Sequence, residues 1–337
     1  MKILFICGSL NQTTMMHKIS MHLEDHTLHF TPYYADGLVR FLAERGLLDN
    51  TILGGRHRKD CLHYLETHNL TIDHRGSQDD YDLVLTGSDA IIQKNVKHKR
   101  LILIQEGMTE PEKLMFHIVR ALKLPRWLAN TSVTGISNAF DAFCVASDGY
   151  KELFIHKGVQ PENIVVTGIP NFDNLASIDA GEFTHKGHVL VATTPFRETM
   201  RIENRRTFIQ NCLEIADGRQ LIFKLHPLEN APRAIEEINQ IAPEARVFWR
   251  GDVNAMMLNA SAVITQLSTC TFTALALGKE VHSDLDIALL RKLMPIQNGG
   301  QSAAKIATVC RSIMATPMTI IQHKRLKLKG KSFWEFR

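Results

Sequence analysis

Short runs of consecutive apolar residues recur along the chain, separated by longer stretches in which apolar positions fall three or four apart. Unbroken runs mark strands buried on both faces of a parallel sheet, and the wider spacing marks amphipathic helices. In the first half, residues 2–7, 28–34, 82–86, 101–104, 143–146 and 164–167 read as strands, with a shorter one at 70–74. Helical spacing falls at 13–23, 36–48, 58–68 and 150–156, and a further helix begins near Pro111 or Glu112. Residues 172–187 lose this periodicity and read as a crossing between domains. Strands then follow at 188–193, 220–225, 245–248, 262–264 and 280–282, with helices at 200–216, 231–241, 253–258, 271–277 and 302–314. Strand alternating with helix predicts the α/β class, built as two doubly wound, Rossmann-like domains. The boundaries expected are 1–175 for an acceptor domain, 176–315 for a nucleotide-donor domain, and 316–337 for a basic tail.

Composition narrows this only a little. A chain of 337 residues suits two cores. With 45% apolar and 22% charged residues it is ordinary globular protein, neither disordered nor fibrous. The net charge of +4 is too small an excess to predict nucleic-acid binding, so any basic patch must be local. Six cysteines without a CxxC spacing fit reduced thiols of a cytoplasm. The first apolar run is too short for a signal sequence, and no run reaches the length of a membrane span. A soluble cytoplasmic protein is expected.

The candidate chemistry stands where strands end, since open parallel sheets bind ligands outside their carboxyl ends. Lys224-Leu225-His226-Pro227 leaves one strand, and Pro227 stops it by lacking an N–H and holding His226 extended. A cation and an imidazole there suit a phosphate. Arg197 follows the preceding strand, and Ser268-Thr269 opens a helix after a later one; hydroxyls and free N–H groups at a helix start bind anions. In the first domain, Gly8-Ser9 forms the turn into a helix whose start could hold a ligand. Glu106, between Gln105 and Gly107 at the end of an apolar strand, is placed to act as a general base. His22 and His26 have the i,i+4 spacing of metal ligands, but no HExxH pattern accompanies them and a solvated helix face explains them better. Asp80-Tyr81-Asp82 spells DxD but precedes a strand instead of following one. No metal or other cofactor is expected. Lys324, Arg325, Lys327, Lys329 and Lys331, followed by Phe333, Trp334 and Phe336, could dock on the anionic inner face of a membrane. A solvated tail, or one packed on the N-terminal domain, explains them as well.

Two doubly wound domains resemble the GT-B architecture of nucleotide-sugar glycosyltransferases, in which such domains face each other across a cleft. Residues 143–175, with Thr167-Gly168, Pro170 and Asp173, resemble UDP-N-acetylglucosamine 2-epimerases and CDP-glycerol glycerophosphotransferases. Residues 262–281 resemble the donor-phosphate loop and helix of the glycerophosphotransferases and related capsule enzymes. Gln105-Glu106-Gly107 and His226-Pro227 resemble the acidic-acidic-Gly and HP motifs of bacterial sialyl and Kdo transferases. That resemblance implies Glu106 as base, His226 as phosphate contact or acid, and Ser268 and Thr269 as phosphate donors. The chain departs from it at Gln105, where an acid is usual. It also lacks the SGG-x-x-EE sequence of the 2-epimerases, which argues against epimerase activity. The expectation is therefore a metal-independent glycosyltransferase of capsule, polysaccharide or lipopolysaccharide biosynthesis. It would take a CMP-, CDP- or UDP-linked sugar and a glycan or lipid-linked acceptor, with Arg197, Lys224 and Pro227 beside the nucleotide phosphate. A nucleotide-sugar 2-epimerase and a non-catalytic sugar-nucleotide-binding protein are the alternatives.

Overall fold

A computed structural model gives the fold and describes every residue except 50, 110, 111, 113, 123, 129, 130, 178–180, 182, 200 and 330–337. The chain divides into two compact units, residues 1–173 together with the segment from Pro295 onward, and Asn174–Met294.

The first unit holds six strands: β1 (Lys2–Cys7), β2 (Thr27–Pro32), β3 (Leu83–Thr86), β4 (Arg100–Ile104), β5 (Ala142–Val145) and β6 (Ile164–Val166). They pair in parallel in the order β2-β1-β3-β4-β5-β6. The chain moves to one side of β1 and then to the other, so β1 and β3 flank the switch point where such sheets open a crevice. Helices α1 (Leu10–Ser20), α2 (Gly37–Glu44), α3 (Gly55–Thr67), α4 (Leu114–Ala121) and α5 (Asp148–Lys157) connect the strands.

The second unit holds β7 (Val189–Ala192), β8 (Leu221–Lys224), β9 (Arg246–Phe248), β10 (Ala262–Thr265) and β11 (Glu280–His282), parallel in the order β11-β10-β7-β8-β9. Its switch point lies between β10 and β7. Helices α6 (Arg205–Ala216), α7 (Ala231–Ile241), α8 (Val253–Asn259), α9 (Cys270–Ala276) and α10 (Ile287–Leu293) belong to it. Val189, Val191 and Phe223 point to a face covered by Ile209 of α6 and Ile238 of α7. Leu190, Ile222 and Val263 point to the opposite face, packed on Met256, Met257 and Ala274. Apolar residues are needed on both sides, which is why these strands read as unbroken apolar runs.

The expected strands are present, with one exception. Residues 70–74 make only a single bridge, Phe30 to Ile72, before a tight turn at His74–Gly76. Asp73 draws the chain round: its buried carboxylate accepts Ser77 N and Gln78 N at 3.0 Å each, and the Tyr81 hydroxyl. Helix ends differ more. α1 starts at Leu10 because Ser9 caps it, and α6 starts at Arg205 because Asn204 accepts Thr207 N.

The second unit ends at Met294, earlier than residue 315. Helix α11 (Ser302–Ala315) packs on α1, β4 and β5 in the first unit. Asp173 fixes its start by accepting Ser302 N at 2.7 Å, a carboxylate at a helix N-terminus. Helix α12 (Met318–Lys329) carries the basic segment back to the same unit. Its Ile321 is buried, Arg325 grips the buried Asp141 with two nitrogens at 2.8 and 2.6 Å, and Lys324 donates to the Glu162 carbonyl. Lys331, Phe333, Trp334 and Phe336 lie outside the described residues. Among the described residues, no helix is long and apolar enough to cross a membrane.

Candidate functional site

In the first unit, the ends of β1, β3 and β4 meet around one carboxylate. Ser9, the N-cap of α1, accepts Gln12 N and turns its hydroxyl to Glu106 Oε1 at 2.5 Å. Asn11 Nδ2 lies 3.3 Å from the same oxygen, and Gln12 Nε2 donates to Oε2 at 2.6 Å. All three partners donate, the arrangement an ionised carboxylate takes. Gly8 and Gly87 make room for Gln12: a Cβ on Gly8 would stand 2.0 Å from Gln12 Oε1, and one on Gly87 3.0 Å from Gln12 Cδ. Gln12 Oε1 is itself buried with no hydrogen-bond partner among the described residues.

The turn after β6 supports this group. Asn171 Nδ2 donates to Asn11 Oδ1 at 2.7 Å and to Asn11 O at 2.9 Å. Gln105 also has a structural task. Its Oε1 accepts Ala146 N at 2.9 Å and its Nε2 donates to Gly107 O at 2.8 Å, tying β4 to the end of β5. An ionised acid could accept but not donate, so the amide at this position follows from the local bonds.

In the second unit, the ends of β10, β7 and β8 lie side by side at the switch point, which brings most of the predicted phosphate residues to one edge. Lys224 is buried and donates from Nζ to the Leu225 carbonyl at 2.9 Å. Burial pulls its pKa below the usual lysine range, against the opposing pull of Cys270, Glu229 and Asp252. Cys270 opens α9, which follows β10 at this edge of the sheet. There Ser268 Oγ accepts Cys270 N at 3.2 Å, while Thr269 is exposed and makes no side-chain cap. His226 Nδ1 accepts Leu228 N at 3.1 Å, which leaves the proton of the neutral ring on Nε2 as a donor. Pro227 follows directly, and Leu225 N still pairs with Phe248 O of β9.

Three side chains at this edge lack partners. Thr194 Oγ1, Thr265 Oγ1 and Gln266 Oε1 are buried with no hydrogen bond among the described residues. Such groups are costly to leave unpaired, and at the carboxyl ends of adjacent strands they suit a polar ligand.

Arg197 is not in this group. Its guanidinium forks onto Glu237 of α7 at 2.7 and 2.6 Å and lies 3.5 Å from Glu203. It belongs to a charged cluster with the buried Arg205 and Glu229. Glu229 was not singled out from the sequence, yet its carboxylate holds the His226 turn. It accepts His226 N at 2.8 Å, the Thr193 hydroxyl and the Arg205 guanidinium. Its place three residues after His226 was the available signal. Asn11 and Gln12, in the first turn of α1, were missed in the same way. Asp82 accepts Lys2 N at 2.8 Å and serves the strand start. His26 faces Asp25, and His22 gives its carbonyl to Arg311.

The sequence matches no protein-family model and no curated protein sequence. The fold has solved counterparts. A Staphylococcus aureus MnaA–UDP co-structure superposes with a TM-score of 0.57 at 13% identity, covering 90% of this chain and 94% of that one. UDP-N-acetylglucosamine 2-epimerase from Neisseria meningitidis, bound to UDP-N-acetylglucosamine, gives 0.55 at 13%, covering 93% and 100%. The Methanocaldococcus jannaschii 2-epimerase with UDP-N-acetylglucosamine and UDP gives 0.54 at 13%, covering 93% and 100%. The chain therefore has the GT-B-type fold of these proteins. The expectation of a sugar transferase is corrected by this likeness, which covers 93% of the chain for the two proteins named as 2-epimerases.

Proposed function

We propose that the chain binds a UDP-linked N-acetylhexosamine and inverts its carbon 2. The observation that carries this reading is that Thr194 Oγ1, Thr265 Oγ1 and Gln266 Oε1, without hydrogen bonds among the described residues, stand with Lys224 at the ends of β7, β10 and β8, at the switch point of a sheet whose architecture recurs in UDP-bound proteins. Phosphate oxygens would accept from the two threonine hydroxyls and from His226 Nε2, with Lys224 as counter-charge and Ser268 alongside.

Inversion at carbon 2 removes a hydrogen from one face and returns one to the other, with no net gain or loss of atoms and no acceptor substrate. Carbon 2 has no neighbouring carbonyl, so the electron pair of its C–H bond would form a double bond to carbon 1 as the C1–O bond to UDP breaks. Re-addition of UDP, with a proton delivered to the other face of carbon 2, would restore every atom. The group that takes the first proton in this reading is Glu106, the carboxylate that the first unit presents. The paired glutamates of the resembling epimerases have no counterpart in α9, where Thr271, Phe272 and Thr273 are buried. In this reading Ser9, Asn11 and Gln12 orient Glu106, and Glu229 holds the His226 turn.

The test is to incubate the protein with UDP-N-acetylglucosamine alone in deuterium oxide and follow the sugar by proton NMR. The expected result is a second UDP-sugar, epimeric at carbon 2 and deuterated there. Unchanged, undeuterated substrate in the presence of saturating protein would overturn the epimerase reading.

A further inference from the structure

The turn after β6 grips one face of α1. Asn11, Thr14 and Lys18 recur at helical spacing, and Asn171 lies against all three. Asn171 Nδ2 donates to Asn11 Oδ1 at 2.7 Å, to Asn11 O at 2.9 Å and to Thr14 Oγ1 at 3.1 Å. Asn171 Oδ1 accepts from Lys18 Nζ at 2.9 Å, and the same ammonium donates to Pro170 O at 3.2 Å. All of these residues belong to the first unit.

The direction of these bonds is fixed from both ends. An ammonium can only donate, so Asn171 must turn its side-chain oxygen to Lys18 and its NH2 to α1. Asn11 then has to offer Oδ1 to Asn171, which leaves its own NH2 for Glu106. Asn11 Nδ2 lies 3.3 Å from Glu106 Oε1 and 3.4 Å from Glu106 O. An ionised carboxylate can only accept. The series Lys18, Asn171, Asn11, Glu106 thus runs from a group that only donates to one that only accepts, and each amide between them has one orientation that satisfies both neighbours. Fastening a turn to a helix needs less than this. The bond from Asn171 to the Asn11 main-chain carbonyl does it whichever way the Asn11 amide points.

We infer that Lys18 and Asn171 are positioning residues, which set the Asn11 side-chain amide so that it meets Glu106 as a donor. Ser9 and Gln12 reach Glu106 directly from the start of α1; Asn11 is the donor whose direction is set from the turn after β6. The consequence for turnover rests on the reading of Glu106 proposed above, whereas the direction of the bonds does not.

The test combines NMR of the side-chain amides in asparagine-labelled protein with deuterium wash-in from UDP-N-acetylglucosamine. Aspartate has the shape of asparagine but cannot donate when ionised, so Asn171→Asp reverses the direction offered to Asn11. The Asn11 NH2 signals are expected to shift on Glu106→Gln in the wild-type background and to stay put in the Asn171→Asp background. Asn171→Asp and Lys18→Met are each expected to lower kcat for wash-in about tenfold or more, with KM within about threefold of wild type. Lys18→Arg keeps a group that only donates and is expected to recover most of the turnover that Lys18→Met loses. Should Asn171→Asp fail to fold, Lys18→Met changes an exposed side chain and carries the same comparison. Equal responses of the Asn11 signals in both backgrounds would overturn the proposal, as would kcat within about twofold of wild type in Asn171→Asp and Lys18→Met. Absence of wash-in by the wild type would count against the epimerase reading instead, and the amide signals would still decide the direction of the bonds.

Discussion

Glu106 and Lys224 each end a buried strand, but their surroundings differ in kind. Glu106 is surrounded by side-chain donors, whereas Lys224 gives its ammonium to a backbone carbonyl and sits near groups of opposite sign. Both were legible in the sequence because a charged residue closing an apolar run has few structural reasons to be there. Arg197 was equally prominent in sequence, but its partner Glu237 lies forty positions away on another helix, which no local pattern reveals. His188 is a further residue with a defined consequence. It precedes β7 and is fully buried, where the Met256 backbone interacts with its ring and favours the charged form. Burial lowers its pKa from the ordinary 6.5, with His185 and Lys279 adding to the effect. A histidine with a depressed folded pKa binds its proton more readily when unfolded. Its contribution is therefore complete above about pH 6.5 and is lost as pH falls from there toward the depressed value. We expect the melting temperature of the wild type to drop more between about pH 7.5 and about pH 5 than that of His188→Leu. Parallel slopes in the two proteins would contradict this.

At the scale of elements, strands were read more reliably than helix ends. A strand of a two-faced parallel sheet must be apolar throughout, so β1, β3 and β10 announce themselves. Helix starts depend on single caps such as Ser9 and Asn204, and the allegiance of α11 depends on Asp173, which reaches across from the turn after β6. The Thr167-Gly168 turn is part of that attachment. Gly168 has φ +81°, and a Cβ there would stand 2.2 Å from Ser302 Oγ at the first residue of α11. Gly168→Ala is expected to cost about 1–3 kcal/mol, from left-handed backbone strain together with displacement of α11. Denaturant unfolding measures it, and a loss below about 0.5 kcal/mol would show that the turn is not constrained as described.

At the scale of the molecule, two doubly wound units were readable, while the reaction was not. A parallel sheet delivers phosphate-binding groups to its carboxyl edge whether the bound nucleotide-sugar is transferred or isomerised. In the proposed reading, motifs around Glu106 and His226 therefore bear on where a nucleotide-sugar would bind and not on what becomes of it. The absence of paired glutamates in α9 pointed toward a transferase, whereas the path of the whole chain follows proteins named as 2-epimerases. In the proposed function the two units have different tasks, and that division can be measured. Calorimetric titration of UDP into wild type, Lys224→Met and Glu106→Gln, with deuterium wash-in from UDP-N-acetylglucosamine followed on the same samples, tests it most directly. Lys224→Met should weaken UDP by at least about tenfold, while Glu106→Gln should keep UDP affinity within about twofold and lose wash-in by about a hundredfold or more. Undiminished UDP affinity in Lys224→Met, or undiminished wash-in in Glu106→Gln, would contradict it.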